Sequence, residues 1–265
     1  MDDARRLRDD DLWREVLAGT QSRMRAGRHV MRHLPSDPRC KLCAAPFGGV
    51  GGAFMRLVGK RRWPKNPKFC SQCFTQLTDH HGGAEISCSL MFADVRGSTS
   101  MGEAMRPTEV HKVMDRFFDT AAHVLVEHDA IVDRFVGDQA IGIFVPALAG
   151  AGHAARAIAA GRALVDATGN GHAASSVPIG VGVHTGIAFV GVVGTGSAVD
   201  FTALGDTVNI ASRLASAAAP GEVLVSVDAT RAAEFPSTGL ERRDLVLKGR
   251  SAATPVVVVP RSTQN

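Results

Sequence analysis

Between residues 84 and 260 the hydrophobic pattern changes period several times, and the order of the changes leaves few folds open. "EISCSLMFAD" reads as a strand, buried on both faces toward its end. Pro107 opens a long helix that carries Val110, Val113, Met114, Phe117, Phe118, Ala121, Val124 and Leu125 on one face. "AIVDRFV" and "QAIGIFV" are strands joined by Gly137-Asp138, a pair suited to a tight hairpin turn. "GHAARAIAAGRALVDAT" is a second helix, and "IGVGVHTGIAFVGVVG" supplies one or two more strands. Strand, helix, strand, strand, helix, strand is the order of a ferredoxin-like α/β sandwich. A further helix, "GDTVNIASRLASAA", starts at Gly205-Asp206, and the short strands "EVLVS", "DLVLKG" and "TPVVVV" follow it.

Two acids stand where these strands end. Asp94 closes the first strand, in "MFADVRGSTS", and Asp138 sits in the hairpin turn. The first and third core strands of a ferredoxin-like sheet lie side by side, so acids far apart in sequence meet at one edge. Two carboxylates in contact repel unless a cation lies between them. A pair of Mg²⁺ ions would clamp the attacking and leaving oxygens of a phosphoryl transfer. Mg²⁺ prefers one or two carboxylates plus substrate phosphates. The loop from Val95 through Gly97 to Ser98 offers backbone N–H groups to such phosphates, and Gly97 permits close approach. Taken singly, each Asp also suits an ordinary turn or cap.

The first third of the chain follows other rules. Residues 1–35 form a helical segment, patterned over 11–34 by Leu12, Val16, Leu17, Met24, Val30, Met31 and Leu34, and "LPSDP" ends it. Residues 36–78 are rich in Gly, Pro and Cys with no long apolar period, and read as a small module held by something other than a core. Cys40-x-x-Cys43 and Cys70-x-x-Cys73 are separated by 26 residues. Four thiolates close a tetrahedral zinc site, and an iron–sulfur cluster is the alternative with the same ligand count. Residues 79–84 are a linker, with His80 and His81 as polar linker residues rather than ligands, and 85–262 is the main domain. Cys88 alternates into the first core strand as a small buried hydrophobe.

Of the 265 residues, 45% are hydrophobic, enough for one large core beside a small module. The charged opening is not a secretory signal, and the most apolar stretch, around His184, is glycine-rich and makes a poor membrane span. A soluble, cytoplasmic protein is expected, with no membrane span. The net charge of +4 is concentrated early, notably in "GKRRWPKNPK". Such runs suit nucleic acid or membrane lipid, but a solvated basic surface is the plainer reading, and nucleic acid is not the expected partner.

"FADVRGSTS", "DRFVGDQAIGIF" and "DFTALGDTVNIASRL", in this order and separation, resemble the catalytic domain of class III nucleotidyl cyclases, the adenylate and guanylate cyclases. The likeness covers about residues 84–260. It implies that Asp94 and Asp138, with Val95 beside the first, hold two Mg²⁺ or Mn²⁺ ions. It implies that Asn209 and Arg213, at i and i+4 on one helix face, contact the substrate in the transition state. Arg213 suits charge building on the α-phosphate, because its fork of donors matches phosphate oxygens. "LKGR" resembles the segment whose lysine holds the terminal phosphates, which makes Lys248 a candidate and Arg250 a weaker one.

Base choice in that family rests on positions occupied here by Arg134 and Thr202. Arg134 can donate to adenine N1, and the Thr202 hydroxyl can accept from N6, so ATP is the expected substrate. The family's adenylate cyclases usually carry Lys where Arg134 stands, and Arg could also face guanine O6, so a guanylate cyclase is the alternative. The implied reaction is attack of the ribose 3′-oxygen on the α-phosphorus, which closes 3′,5′-cyclic AMP and releases pyrophosphate. The family also builds each site from two subunits, so a homodimer is expected, with the cysteine module regulating it. Two other readings stand beside this one. A non-catalytic cyclase-like protein would bind nucleotide or only dimerise, though possession of both acids, Asn209 and Arg213 argues against it. A zinc-containing nucleic-acid-binding protein is the third reading, suggested by the cysteines and basic residues.

Overall fold

The computed structural model describes residues 3–261 except 34–36, 65, 80–81, 170–176, 196–197 and 251. The chain begins with α1 (Asp3–Ala18), α2 (Ser22–Arg32), α3 (Gly49–Leu57), β1 (Arg62–Trp63), β2 (Asn66–Cys70) and α4 (Ser71–Asp79). Then come β3 (Gly82–Val95), α5 (Ser98–Ala104), α6 (Pro107–Glu127), β4 (Ile131–Val136), β5 (Gln139–Phe144), α7 (Pro146–Ala149) and α8 (His153–Thr168). It closes with β6 (Ile179–Thr195), β7 (Ala198–Leu204), α9 (Asp206–Ala217), β8 (Glu222–Ser226), α10 (Val227–Ala232), β9 (Arg242–Leu245) and β10 (Thr254–Val259). The main sheet has the order β4-β5-β3-β6-β8-β10-β9, with β7 paired to β6. The stretch β4-β5-β3-β6 is the ferredoxin-like arrangement read from the sequence, with the first core strand flanked by the third and fourth. Two compact units emerge: residues 1–86, 145–151 and 187–204 form one, and 87–144, 152–186 and 205–265 form the second.

In the second unit, β3 is buried without a break from Leu90 to Ala93, as a strand covered on both faces must be. Phe117 and Leu125 of α6 and Ile158 and Leu164 of α8 are fully buried, and the two helices pack together. The helix α9 lies close to its strands. Ile210 and Leu214 pack with Leu224, Leu247 and Val256, and Gly182 of β6 lets the helix backbone in. A Cβ at Gly182 would sit 2.3 Å from the Ala215 nitrogen and 2.4 Å from the Ala211 oxygen. Buried polar groups find partners inside this core. Ser89 Oγ lies 2.8 Å from His153 Nδ1 and 2.6 Å from Thr185 Oγ1. Cys88 is fully buried, and burial pushes its thiol up to about 12. The segment "DLVLKG", expected as a strand, is one only to Leu245, because the buried Leu247 turns inward to join the α9 cluster.

The first unit departs more from expectation. The expected pattern over 11–34 is divided between two helices, α1 and α2: Gly19 takes a left-handed φ of 72°, and the Thr20 N–H turns back to the Glu15 carbonyl at 2.9 Å. Trp13 and Leu17 of α1 are buried, and Trp13 lies 6.4 Å from the Phe201 ring. Within the cysteine module, which was expected to have no long apolar period, α3 forms. Its inward face is Gly51, Gly52 and Met55, and a Cβ at Gly52 would lie 2.4 Å from the Phe47 carbonyl carbon. Glycines and Met55 make the packed face, while the apolar residues Val50, Phe54 and Leu57 lie on the exposed side. The stretch 79–84, expected as a linker, is largely taken up by elements, since Asp79 ends α4 and β3 starts at Gly82. His80 and His81 lie outside the described residues. Among the described residues, no helix is long and apolar enough to cross a membrane.

Candidate active site

The antiparallel register of β3 on β5 sets Asp94 opposite Gln139, the residue after Asp138. The Val95 N–H donates to the Asp138 carbonyl at 3.2 Å, which ties the two acid-bearing segments together. Both acids therefore come to one sheet edge. The Asp94 side chain is 13% exposed. Burial raises its carboxyl above the ordinary carboxylate range, the Arg96 charge opposes that rise, and the neighbouring Asp138 charge adds to it. A cation at this edge would relieve both burial and repulsion.

The loop after Asp94 is used differently from the sequence expectation. The Val95 N–H is taken by Asp138, and the Arg96 N–H donates to the Pro178 carbonyl at 2.8 Å, so neither is open to a phosphate. Ser98 Oγ donates to the Asp138 carboxylate. Gly97 is needed for its left-handed φ of 74°, and not for room: a Cβ there would meet only Ser100 Oγ, at 3.6 Å.

Arg96 is the residue that sequence reasoning missed. Its Nη2 donates to Asp94 Oδ2 at 2.7 Å and to the Ala215 carbonyl at 2.7 Å, and its Nη1 donates to the Ser216 carbonyl at 2.9 Å. The guanidinium thus bridges Asp94 to the last turn of α9, where bare carbonyls favour a cation. Ser216 Oγ adds a weak contact to Asp94 Oδ2 at 3.4 Å. The signal was an Arg two residues after the acid. Its partner carbonyls are about 120 residues away in sequence, out of reach of spacing arguments.

Asn209 is exposed and Arg213 half-buried on α9. Among the described residues, no hydrogen bond or ion pair holds either side chain. The turn Leu247 to Arg250 lies against this helix. Leu247 is buried, the Arg250 N–H donates to the Leu247 carbonyl at 3.0 Å, and Gly249 takes a φ of 78°. A Cβ at Gly249 would lie 3.5 Å from Arg213 Nη2. Lys248 is exposed at this turn. Arg250 is already committed, because its Nη1 pairs with Asp206 Oδ2 at the start of α9. Its Nε is buried without a partner among the described residues. Thr202 of β7 is buried and lies opposite Gly191 of β6. Arg134 lies in β4 at a register irregularity between Val132 and Phe135, and its side chain is outside the described residues.

The first unit holds a second cluster. The sulfurs of Cys40, Cys43, Cys70 and Cys73 all lie within 4.8 Å of one another. Cys40 Sγ accepts the Cys70 N–H at 3.3 Å, and Cys70 Sγ accepts the Cys73 N–H at 3.4 Å. Lys60 Nζ lies 3.9 Å from Cys43 Sγ. Cys70 directly precedes α4 and Cys73 is in its first turn, where the helix N-terminus favours negative sulfur. Hydrogen bonds among the sulfurs push Cys43 and Cys70 down and Cys40 and Cys73 up. Four cysteine sulfurs this close form a donor set for a single metal ion. A mononuclear tetrahedral site with metal–sulfur bonds of about 2.3 Å sets its sulfurs roughly 3.8 Å apart.

Comparison with known proteins adds to this geometry. Residues 84–259 match the family described as the adenylate and guanylate cyclase catalytic domain. "Adenylate cyclase 1" of Rhizobium meliloti (strain 1021) is 34% identical over 144 residues, 51% of this chain and 22% of that protein. "Adenylate cyclase" of Anabaena cylindrica is 29% identical over 136 residues, 48% of this chain and 26% of that protein. The chain thus spans about a quarter of the length of these curated relatives. Among solved structures, the adenylyl cyclase CyaB from P. aeruginosa matches with a TM-score of 0.59 and 25% identity, covering 68% of this chain and 97% of that one. The guanylyl cyclase Cya2 matches with a TM-score of 0.60 and 26% identity, covering 69% of this chain and 96% of that one.

Proposed function

The chain belongs to the adenylate and guanylate cyclase catalytic domain family through residues 84–259, and from that premise we propose that it converts ATP to 3′,5′-cyclic AMP and pyrophosphate. The observation that carries the reading is the meeting of Asp94 and Asp138 at one sheet edge, tied by the Val95 N–H. The donor set is all oxygen and partly buried, which fits hard divalent cations such as Mg²⁺ or Mn²⁺. Bound there, such ions would lower the pKa of the ribose 3′-hydroxyl and stabilise charge on the α-phosphate. Asp94 and Asp138 would hold the ions, Arg96 would fix the Asp94 carboxylate in place, and Ser98 would do the same for Asp138. Arg213 would take the charge growing on the α-phosphate oxygens, and Asn209 would orient the substrate from the same helix face. Lys248, exposed on the turn beside Arg213, would hold the terminal phosphates.

ATP is favoured over GTP because Arg134 can donate to adenine N1 and Thr202 can accept from N6. Each site would join Asp94 and Asp138 of one subunit to Asn209 and Arg213 of a second in a two-fold homodimer. Support for sharing comes from Asn209 and Arg213, whose side chains have no hydrogen bond or ion pair among the described residues. The four cysteines would hold one zinc ion, since sulfurs within 4.8 Å suit a single tetrahedral metal rather than a cluster of several irons. The module around it, residues 36–78, would regulate catalysis. The test is direct: incubate the pure protein with ATP or with GTP plus Mg²⁺ or Mn²⁺ and measure the cyclic product. Cyclic AMP formed faster than cyclic GMP supports the reading, and neither product at any metal concentration removes it.

A further inference from the structure

The cysteine module carries a surface that the cyclase reading does not use. On α3 and just beyond it, Val50 is 85% exposed, Phe54 56%, Leu57 85% and Val58 48%. These positions follow the spacing i, i+4, i+7, i+8, so they form one stripe along the helix. The opposite side of the same helix, Gly51, Gly52 and Met55, is the one that packs inward. The stripe is therefore an outward face of a helix that is already seated. Large aliphatic side chains this exposed, side by side, mark a contact surface rather than scattered surface residues.

Charge identifies the contact. Between residues 38 and 78 there are eight Lys and Arg and no Asp or Glu. Four of these, Arg56, Lys60, Arg61 and Arg62, lie in α3 or in the five residues after it, with Arg56 at the flank of the apolar stripe. Lys60 Nζ also lies 3.9 Å from Cys43 Sγ, and Arg62 lies over the Phe47 ring at 5.4 Å. Three occupants are conceivable, and the charge and apolarity of the surface separate them. A second copy of the module would bring the same basic residues against themselves, as a two-fold contact requires, and like charges would oppose it. Nucleic acid would use the basic residues but would gain nothing from three exposed aliphatic side chains beside one Phe. An anionic lipid surface uses both features at once: the acyl region takes the apolar stripe and the headgroups take the guanidinium and ammonium groups.

We propose that the cysteine module is a membrane-surface anchor, in which Val50, Phe54, Leu57 and Val58 insert at an anionic bilayer interface and Arg56, Lys60, Arg61 and Arg62 engage its headgroups. The helix has nine residues and lies in the interface without spanning it. This inference does not depend on the cyclase reading, and it is tested without substrate. The whole 265-residue chain, metal-loaded, is sedimented with vesicles of pure phosphatidylcholine and with vesicles containing about a third phosphatidylglycerol, at about 0.1 M salt. Binding to the anionic vesicles is expected, with little to the neutral ones. Leu57→Asp should abolish it. Arg61→Gln should weaken it about fivefold, the effect of one basic residue near an anionic surface. Zinc content and far-ultraviolet circular dichroism confirm that each variant is folded; Val50→Ser serves as a milder second probe of the stripe. Absence of binding to anionic vesicles, or binding that Leu57→Asp and Val50→Ser leave unchanged, overturns the proposal. So does a result in which Leu57→Asp instead dissolves an oligomer while lipid binding is absent, or in which duplex DNA binds and vesicles do not.

Discussion

Gly182 of β6 offers the sharpest structural handle on the proposed chemistry, because it sets how close α9 comes to the sheet. A Cβ at this position would lie 2.3 Å from the Ala215 nitrogen, 2.4 Å from the Ala211 oxygen and 2.7 Å from Leu214 Cβ. Ordinary contact needs about 3.5 Å, so Gly182→Ala must move the helix or the strand by roughly 1 Å. The obstructing atoms are mostly backbone, which cannot rotate away. Overpacking of this kind costs about 1–3 kcal/mol, which in a protein of this size lowers Tm by roughly 2–12 °C. The larger effect should be on turnover. Asn209 and Arg213 ride on α9, and a displacement of about 1 Å in a positioning element costs on the order of a hundredfold in rate. The assay is the initial rate of cyclic AMP formation at saturating ATP, run well below the measured Tm of the variant. Gly152→Ala is the control, because a Cβ there meets nothing within 4 Å, and it should keep the parent rate. A Gly182→Ala protein that melts and turns over like the parent would refute the claim that α9 is held by this contact and must stay there.

Other outcomes follow from the same geometry. Asp94→Ala and Asp138→Ala should each reduce turnover to background while leaving Tm within a few degrees, because both acids sit at the sheet edge and not in the core; near-normal turnover in either variant would rule out its metal role. ATP should show the higher kcat/KM, and Arg134→Glu should narrow or reverse the preference over GTP; equal use of both by the parent protein removes the support for the pairing of Arg134 with Thr202. Metal analysis should find about one zinc per chain, lost on Cys40→Ser with Cys43→Ser; iron with acid-labile sulfide in protein purified without oxygen would contradict it. His153 and His184 are both held below the ordinary histidine range by burial, with Asp228 and Asp206 opposing the shift at His184 and Arg250 adding to it. The unfolded chain protonates first as pH falls, so the stability they give is present above about pH 6.5 and declines below it. Urea melts at pH 7 and pH 5 should show a smaller difference for His184→Asn than for the parent protein, and an unchanged difference would remove His184 from the account.

The parts of the fold that sequence could reach are those set by local periodicity and turns. The unbroken apolar run of β3, the one-face helix after Pro107 and the Gly137-Asp138 hairpin fix a strand order, and that order brings Asp94 and Asp138 to one edge. The cysteine pairs are legible for the same reason, since each knuckle is local. What was hidden depends on contacts over long separations or on the lack of a side chain. The break at Gly19 follows from a left-handed φ, for which a Gly after a run of helical residues was a readable cue. The helix α3 was missed because the apolar residues that repeat at helical spacing, Val50, Phe54, Leu57 and Val58, lie on its exposed side, while its packed face is Gly51, Gly52 and Met55. Arg96 escaped because the carbonyls it bonds on α9 come from the far end of the domain. The same distance effect explains the loop amides: Val95 and Arg96 spend their N–H groups on Asp138 and Pro178, partners that only the folded sheet supplies.

The proposed cyclase site joins Asp94 and Asp138 of one subunit to Asn209 and Arg213 of a second, and complementation between dead variants distinguishes it from a site within one chain. Asp94→Asn should silence both sites of its homodimer, and Arg213→Ala should do the same. Mixed in equal amounts and allowed to exchange, half the dimers become hybrids, in which one site collects both substitutions and the other collects none. Cyclic AMP formation should then recover to about a quarter of the parent rate. A mixture that stays as inactive as its components, although subunit exchange is shown independently by differently tagged chains, would contradict the claim.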